Sequence, residues 1–327
     1  MLPAKSGPSN AIAYVRCTDK SVQLRTVALL VMTNSNQDYE TMIPSDSHVH
    51  SQWSWDALNG SMEGACARAA EIGLPAVAFT EHADFTTWSI PAAGIATMPE
   101  RFQQMVQSDG LFHPPRLDVS GYLECLDKCR IRFPELRIRS GVEVGEPHWH
   151  PAQVDELLGA GDFDCVIGSV HSIRKGGVAL VVDRAFAGYD ADDVMHSYLS
   201  EVLDLIRSPA RFTVLGHLDY PLREWPESAG ELTTARFEDE FRTVLAELAE
   251  SGRALEFNTR LLPPIVLLEW WRDAGGTSLS FGSDAHDAAR LGAGFTTAAA
   301  VARNAGFHPA TDDLWMCRTP SGRAAIQ

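Results

Sequence analysis

From Asp46 onward, short apolar runs alternate with longer stretches whose apolar positions recur at helical spacing. The short runs share one habit: each ends in a His, Asp, Glu or Asn. Seven such ends occur, at Ser47–His50, Ala76–His82, Ile138–Glu143, Cys165–His171, Val214–His217, Leu255–Asn258 and Leu279–His286. Between them, amphipathic spacing predicts helices near Met62–Ile72, Val119–Arg132, Ala152–Leu158, Ala191–Ile206, Ala235–Glu250 and Pro264–Asp273. Strands that alternate with helices form a parallel sheet, which makes the fold class α/β. In a closed barrel of this kind catalytic groups gather at the carboxyl ends of the strands, so all seven ends would meet at one mouth.

Two stretches break the alternation. Phe85–Pro115 carries many Pro, Gly and Met residues and reads as a long connection that could cover the mouth. After Arg303 the chain ends in small and polar residues, expected to be loosely held.

Composition narrows the picture. With 327 residues, 45% of them hydrophobic, the chain has material for a large core, and one catalytic domain is expected. Acidic residues number 43 against 27 basic ones, a formal net charge of -16 that repels polyanions. No stable nucleic-acid binding is expected, because such a grip needs many Lys and Arg contacts to phosphate. A small anionic substrate drawn in by a local positive site is compatible with this charge. The six cysteines (Cys17, Cys66, Cys125, Cys129, Cys165, Cys317) form no CxxC, as expected of reduced thiols in a cytoplasmic protein. Cys125 and Cys129 lie four apart on an expected helix and read as packing rather than a metal pair. Val27–Met32 is too short to span a bilayer, and no small-residue cleavage site follows the basic residues before it, so neither a membrane segment nor secretion is expected.

The chemistry lies in where the histidines fall. A lone histidine is ordinarily structural, but His48 and His50 are two apart in a strand, so both side chains point to one face and can share an ion. Asp284 and His286 repeat that spacing, and Glu143, His171 and His217 each close an apolar run. Imidazole and carboxylate ligands without thiolate suit zinc, manganese or iron, and several such ions close together can activate water and neutralise a substrate's charge. A second His-x-His, His148-Trp149-His150, is framed by Pro147 and Pro151 and reads as a rim or substrate contact.

The ordered motifs His48-Val49-His50, Thr80-Glu81-His82, Gly141-Val142-Glu143, Gly168-Ser169-Val170-His171, Gly216-His217-Leu218-Asp219 and Gly282-Ser283-Asp284-Ala285-His286 together resemble the PHP (polymerase and histidinol phosphatase) superfamily. The fourth and sixth are most similar to its histidinol-phosphatase branch. The resemblance spans about Ser45 to Phe295 and rests on the set, since each motif alone is weak. It implies a distorted TIM-like (β/α)7 barrel holding three divalent metal ions. His48, His50, Glu143 and Asp284 would hold the first, Glu143, His171 and His217 the second, with Glu143 bridging, and Asp56, His82 and His286 the third. At Asp56 some relatives carry histidine.

The resemblance further implies hydrolysis of a phosphate monoester, L-histidinol phosphate first among them, by in-line displacement at phosphorus without a phosphoenzyme. The charge balance agrees: three divalent ions outweigh Glu143, Asp284 and Asp56, and a phosphate dianion would neutralise the surplus. Asp219 is expected to orient a ligand or protonate the leaving group. Arg174 and Arg260 are placed to grip the phosphate with paired hydrogen bonds. Nucleotidase or exonuclease chemistry, also found in this superfamily, is the competing expectation, and a metal-free regulatory domain a third.

Relatives begin with their first HxH near the amino terminus, and here Met42 puts His48 in that place. The expected domain therefore runs over 42–303, with 1–41 an upstream extension or a start placed too early, and 304–327 a tail. The rival expectation is that Val27–Met32 forms an extra strand or a plug at the base of the barrel.

Overall fold

The computed structural model describes residues 42–90, 92–230, 234–310 and 314–317. The expected extension 1–41, with its run Val27–Met32, lies outside the described residues. Among those described, parallel strands follow one another across one sheet in chain order: β1 (Asp46–Val49), β2 (Ala76–Asp84), β3 (Arg137–Gly145), β4 (Cys165–Ser169), β5 (Val214–Leu215), β6 (Ala254–Asn258) and β7 (Ser278–Gly282). Every residue of β1, β2, β6 and β7 is buried. This is the condition of a parallel strand covered on both faces.

The expected helices connect the strands: α1 (Met62–Ile72), α2 (Val119–Arg132), α3 (Pro151–Gly159), α4 (Ala191–Arg207), α5 (Glu238–Ser251) and α6 (Ile265–Asp273). Their limits have local causes. The Ser61 hydroxyl accepts the N–H of Gly64 to start α1, and Gly73 ends it in the left-handed region at φ 71°. Asp190 accepts the N–H groups of Asp192 and Asp193 to start α4, which buries Val194, Met195, Tyr198, Leu199, Val202 and Leu205. A further helix, α7 (Phe295–Asn304), follows β7 and was not among the expected ones. It buries Phe295, Ala298, Ala299 and Ala302 at helical spacing, the same pattern that marks the others.

The ring closes at one end only. Past the end of β7, the N–H of Asp284 donates to the carbonyl of His48 in β1, and the N–H of His50 to that of Ala285, both at 2.9 Å. Lower down, β7 turns its edge to other partners: β8 (Phe307–Pro309) and β9 (Leu314–Cys317) add antiparallel, β9 directly on β7. The distortion of the barrel is this exchange of partners along β7. The stretch expected as a loose tail after 303 is, over these residues, part of the sheet. The free edge of β7 needs hydrogen-bond partners, and Phe307 and Trp315 are fully buried, Trp315 with its ring centroid 4.9 Å from that of Phe281.

The long connection folds back on itself. Trp88–Ser89 pairs antiparallel with Leu111–Phe112, and Trp88, Ile90 and Phe112 form a small core with Trp55 against it. The Trp88 indole donates to Ser172 Oγ at 2.8 Å, and Trp55 carries the cluster to within 6.3 Å of the His82 ring. Among the described residues no helix is long and apolar enough to cross a membrane, and the cysteines Cys66, Cys125, Cys129, Cys165 and Cys317 are free thiols.

Trp315→Ala tests whether β9 belongs to the cooperative unit. Truncating a buried Trp costs about 3–5 kcal/mol, so the midpoint of urea unfolding should fall in a single transition; an unchanged midpoint would make β9 an appendage.

Candidate metal centre

Each strand end delivers its side chain to the same place. His48 on β1 and His50, one residue beyond it, are fully buried, their Nε2 atoms 3.0 Å apart. His82 and Glu143 are paired neighbours on β2 and β3. His171 and His217 stand two residues beyond β4 and β5. Past β7 the backbone turns at Asp284, whose φ of 52° is unusual for a residue with a side chain, and this places Asp284 and His286 beside His50: Asp284 Oδ1 is 3.5 Å from His50 Nε2, and the ring centroids of His50 and His286 are 4.3 Å apart.

Glu143 is at the centre. Its Oε1 is 2.8 Å from His217 Nε2 and 3.1 Å from His171 Nε2, and it accepts the Ser169 hydroxyl at 2.6 Å. Its Oε2 faces the other way, 3.1 Å from His48 Nε2, 3.2 Å from His82 Nδ1 and 3.4 Å from His50 Nε2. Asp56 Oδ2 is 3.0 Å from His286 Nε2 and 3.4 Å from His82 Nε2. All nine residues expected as ligands are thus gathered, and donor atoms close enough to share an ion come from His48, His50 and Asp284, from His48, Glu143 and His217, from His50, His82 and His286, and from His82, Asp84 and His171.

The way these atoms meet fits divalent cations. Oε2 of Glu143 is buried and accepts no well-formed hydrogen bond although three imidazole nitrogens surround it, and Nδ1 of His82, Oδ1 of Asp56 and Oδ1 of Asp84 are likewise buried without a partner. Lone pairs that converge without hydrogens between them are what a cation satisfies. Burial opposes the charge on Glu143, but His48, His171 and His82 outweigh it and hold the carboxyl well below its ordinary range. Burial likewise opposes charge on Asp284, and Arg223 above all reverses this. In both residues the carboxylate, the form that binds a cation, is the one favoured.

A further layer orients the first, and sequence reasoning missed most of it. The Ser54 hydroxyl donates to Glu81 at 2.6 Å, so it can only accept from His50 Nδ1 at 3.0 Å, which leaves His50 Nε2 free to face the centre. Glu81 also takes the Ser51 N–H and hydroxyl. Glu146, at φ 43°, accepts the N–H groups of His171 and Ser172, both at 2.7 Å, and the Thr86 hydroxyl. Glu256 lies 2.6 Å from His48 Nδ1. The available signal was a charged residue inside an apolar strand, as in Ala254-Leu255-Glu256-Phe257.

The arginines divide differently from expectation. Arg260 is at the mouth, 3.6 Å from Asp284 Oδ1. Arg174 is exposed and lies over the Trp149 ring at 3.9 Å, with no contact to the cluster. Arg223, unremarked in the sequence, does reach the cluster: it donates to Asp284 Oδ2 at 2.7 Å while its buried Nε and Nη2 have no partner. Asp219 is buried beside it with Oδ2 unpartnered; burial pushes its carboxyl up to about 7, partly offset by Arg223. In the second His-x-His, His148 and the Trp149 indole bind Glu201, and His150 lies 2.9 Å from the Thr86 hydroxyl, all apart from the cluster.

Glu143→Ala should therefore strip more than one ion from the purified protein, and Asp56→Ala at most one, with far-ultraviolet circular dichroism unchanged in both. Elemental analysis decides; equal metal content in Glu143→Ala and wild type would remove Glu143 from the centre.

Comparison with known proteins agrees with this geometry. A histidinol-phosphatase of Lactococcus lactis is 27% identical over 273 residues, covering 80% of this chain and 91% of that protein. A probable histidinol-phosphatase of Deinococcus radiodurans is 25% identical over 81% of this chain and 95% of its own length. The crystal structure of the Lactococcus lactis histidinol phosphate phosphatase, complexed with zinc, L-histidinol and phosphate, superposes with a TM-score of 0.67 at 25% identity, over 81% of this chain and 94% of that one. The PHP domain model matches residues 46–260, and the chain belongs to the PHP domain family.

Proposed function

We propose that this chain is a metal-dependent phosphoric monoester hydrolase whose substrate is L-histidinol phosphate. The observation that carries the reaction class is one carboxylate, Glu143, ringed by imidazoles beside a buried guanidinium with two free donors. Cations and guanidinium side by side make a receptor for a phosphate dianion. The choice among phosphate monoesters rests on the Lactococcus lactis relative, which holds L-histidinol and phosphate.

In this reading His48, His50, Glu143 and Asp284 hold one ion, Glu143, His171 and His217 a second, and Asp56, His82 and His286 a third. Zinc, manganese and iron all suit the donor set. Such ions, when bound, supply Lewis acidity that activates water and neutralises charge at phosphorus.

The chain's own residues do the rest. Arg223, anchored by Asp284, turns Nε and Nη2 to phosphate oxygens, and Arg260 closes over them from the rim. Asp219, buried beside Arg223 with its carboxyl raised to about 7, is placed to orient a ligand or to protonate the leaving group. The aromatic cluster of Trp55, Trp88 and Phe112 keeps water from the side of His82. The free thiols among the described cysteines support a reducing, cytoplasmic setting.

Losing a hydrogen bond to a charged group costs about 1.5–3 kcal/mol. Arg223→Ala should therefore lower kcat/KM by about tenfold or more, Arg260→Ala by less, and Arg174→Ala least. The substrate itself is tested by phosphate release from a panel of histidinol phosphate, nucleoside monophosphates, sugar phosphates and single-stranded DNA. Histidinol phosphate is expected to give the highest kcat/KM; a nucleotide or DNA ahead of it would overturn the assignment.

A further inference from the structure

Glu256 sits in the middle of β6, buried, with both carboxylate oxygens engaged. Oε1 lies 2.6 Å from Nδ1 of His48 on β1, and Oε2 accepts the backbone N–H of His217 beyond β5, also at 2.6 Å. One side chain thus ties together two strand ends that each bring a histidine to Glu143. The reach to β1 passes over Gly282 of β7, where a Cβ would collide with Oε1 of Glu256 and with Cβ of His48. Glycine at that position keeps the passage open.

We propose that Glu256 is a positioning residue that fixes His48 as its Nδ1–H tautomer, so that the Nε2 lone pair faces the centre shared with Glu143, His50 and Asp284. The inference rests on the ligand role proposed for His48. A carboxylate accepts and does not donate. A neutral imidazole facing it must carry its proton on Nδ1, which leaves Nε2 bare, 3.1 Å from Glu143 Oε2. Hydrogen bonds of this kind at the far nitrogen of a metal-binding histidine set its tautomer and ring orientation.

The second partner makes the idea sharp, because the His217 N–H can only donate. In Glu256→Gln the side chain has one acceptor and one donor in place of two acceptors. Only its carbonyl can meet the His217 N–H, and this turns its amide NH2 toward His48 Nδ1. His48 must then accept at Nδ1 and carry its proton on Nε2, where it blocks coordination. Size and shape are conserved, so the substitution separates the tautomer from packing.

The full-length wild type and Glu256→Gln are compared by equilibrium dialysis against buffered zinc, and by proton–nitrogen correlation spectra of the imidazoles at a free zinc concentration that saturates the wild type and leaves the weakened site of the variant mostly empty. The variant is expected to hold one ion about 10–100-fold more weakly, with the His48 proton moved from Nδ1 to Nε2. Both readouts use zinc alone. Failure of the substrate assignment therefore shows separately, as no phosphate release from a protein that still loads zinc and still depends on Glu256. A wild-type spectrum with the His48 proton on Nε2 overturns the proposal even if the variant does not fold. So does a Glu256→Gln protein that binds all its zinc with wild-type affinity.

Discussion

Glu143 carries a negative charge at the buried mouth of the barrel, with five imidazoles within 3.4 Å of its two oxygens and only the Ser169 hydroxyl donating a short, unambiguous hydrogen bond to it. An ionised carboxylate out of water is costly unless it is paired or coordinates a metal. Asp46, Glu81, Asp84, Glu146, Asp219, Glu256 and Asp284 are buried around the same mouth. Glu81 and Glu146 are answered by backbone N–H groups and hydroxyls, and Asp46 by the N–H groups of Ser283 and Gly292. Asp284 is answered by Arg223. Glu143 Oε2 faces three imidazole nitrogens and accepts no well-formed hydrogen bond, and cations standing between these atoms would close the electrostatics of the mouth.

The fold serves that requirement through its closure. The barrel is tied at the end where the ligands stand, by the N–H of Asp284 to His48 and of His50 to Ala285, and is released lower down, where β7 takes β9 instead of β1. The residues that form the tie are themselves ligand positions or their neighbours. Ring closure and site assembly are therefore one event, and the same backbone atoms that join β1 to β7 set His48, His50 and Asp284 in register.

Much of this was legible because strands impose a period of two and end where the apolar run ends. His48, His50, His82, Glu143, His171, His217, Asp284 and His286 all fall at such places, and a parallel barrel has only one mouth to bring them to. Asp56 lies in the turn after β1, where no periodicity applies, and it was placed by resemblance alone. Arg223 was invisible for a similar reason: it lies in a 3-10 turn beyond β5, and only the packed structure shows that the turn aims it inward while Arg174, on a strand next to the mouth, is drawn aside to Trp149. Glu256 could be suspected as a charge within an apolar strand, but its partners lie far from it in sequence, on β1 and beyond β5. The strands β8 and β9 were hidden because runs of three and four residues are too short to show a period, and neither announces a strand until the free edge of β7 is seen to need one.

The most direct test of a cation centre built on Glu143 is diffraction from crystals of the zinc-loaded protein, with anomalous differences collected at the zinc absorption edge. The account predicts three anomalous peaks, two of them within coordinating distance of Glu143 and all within about 2.0–2.2 Å of the imidazole nitrogens and carboxylate oxygens named above. A map with no peak beside Glu143, in crystals where zinc is bound elsewhere, would contradict it.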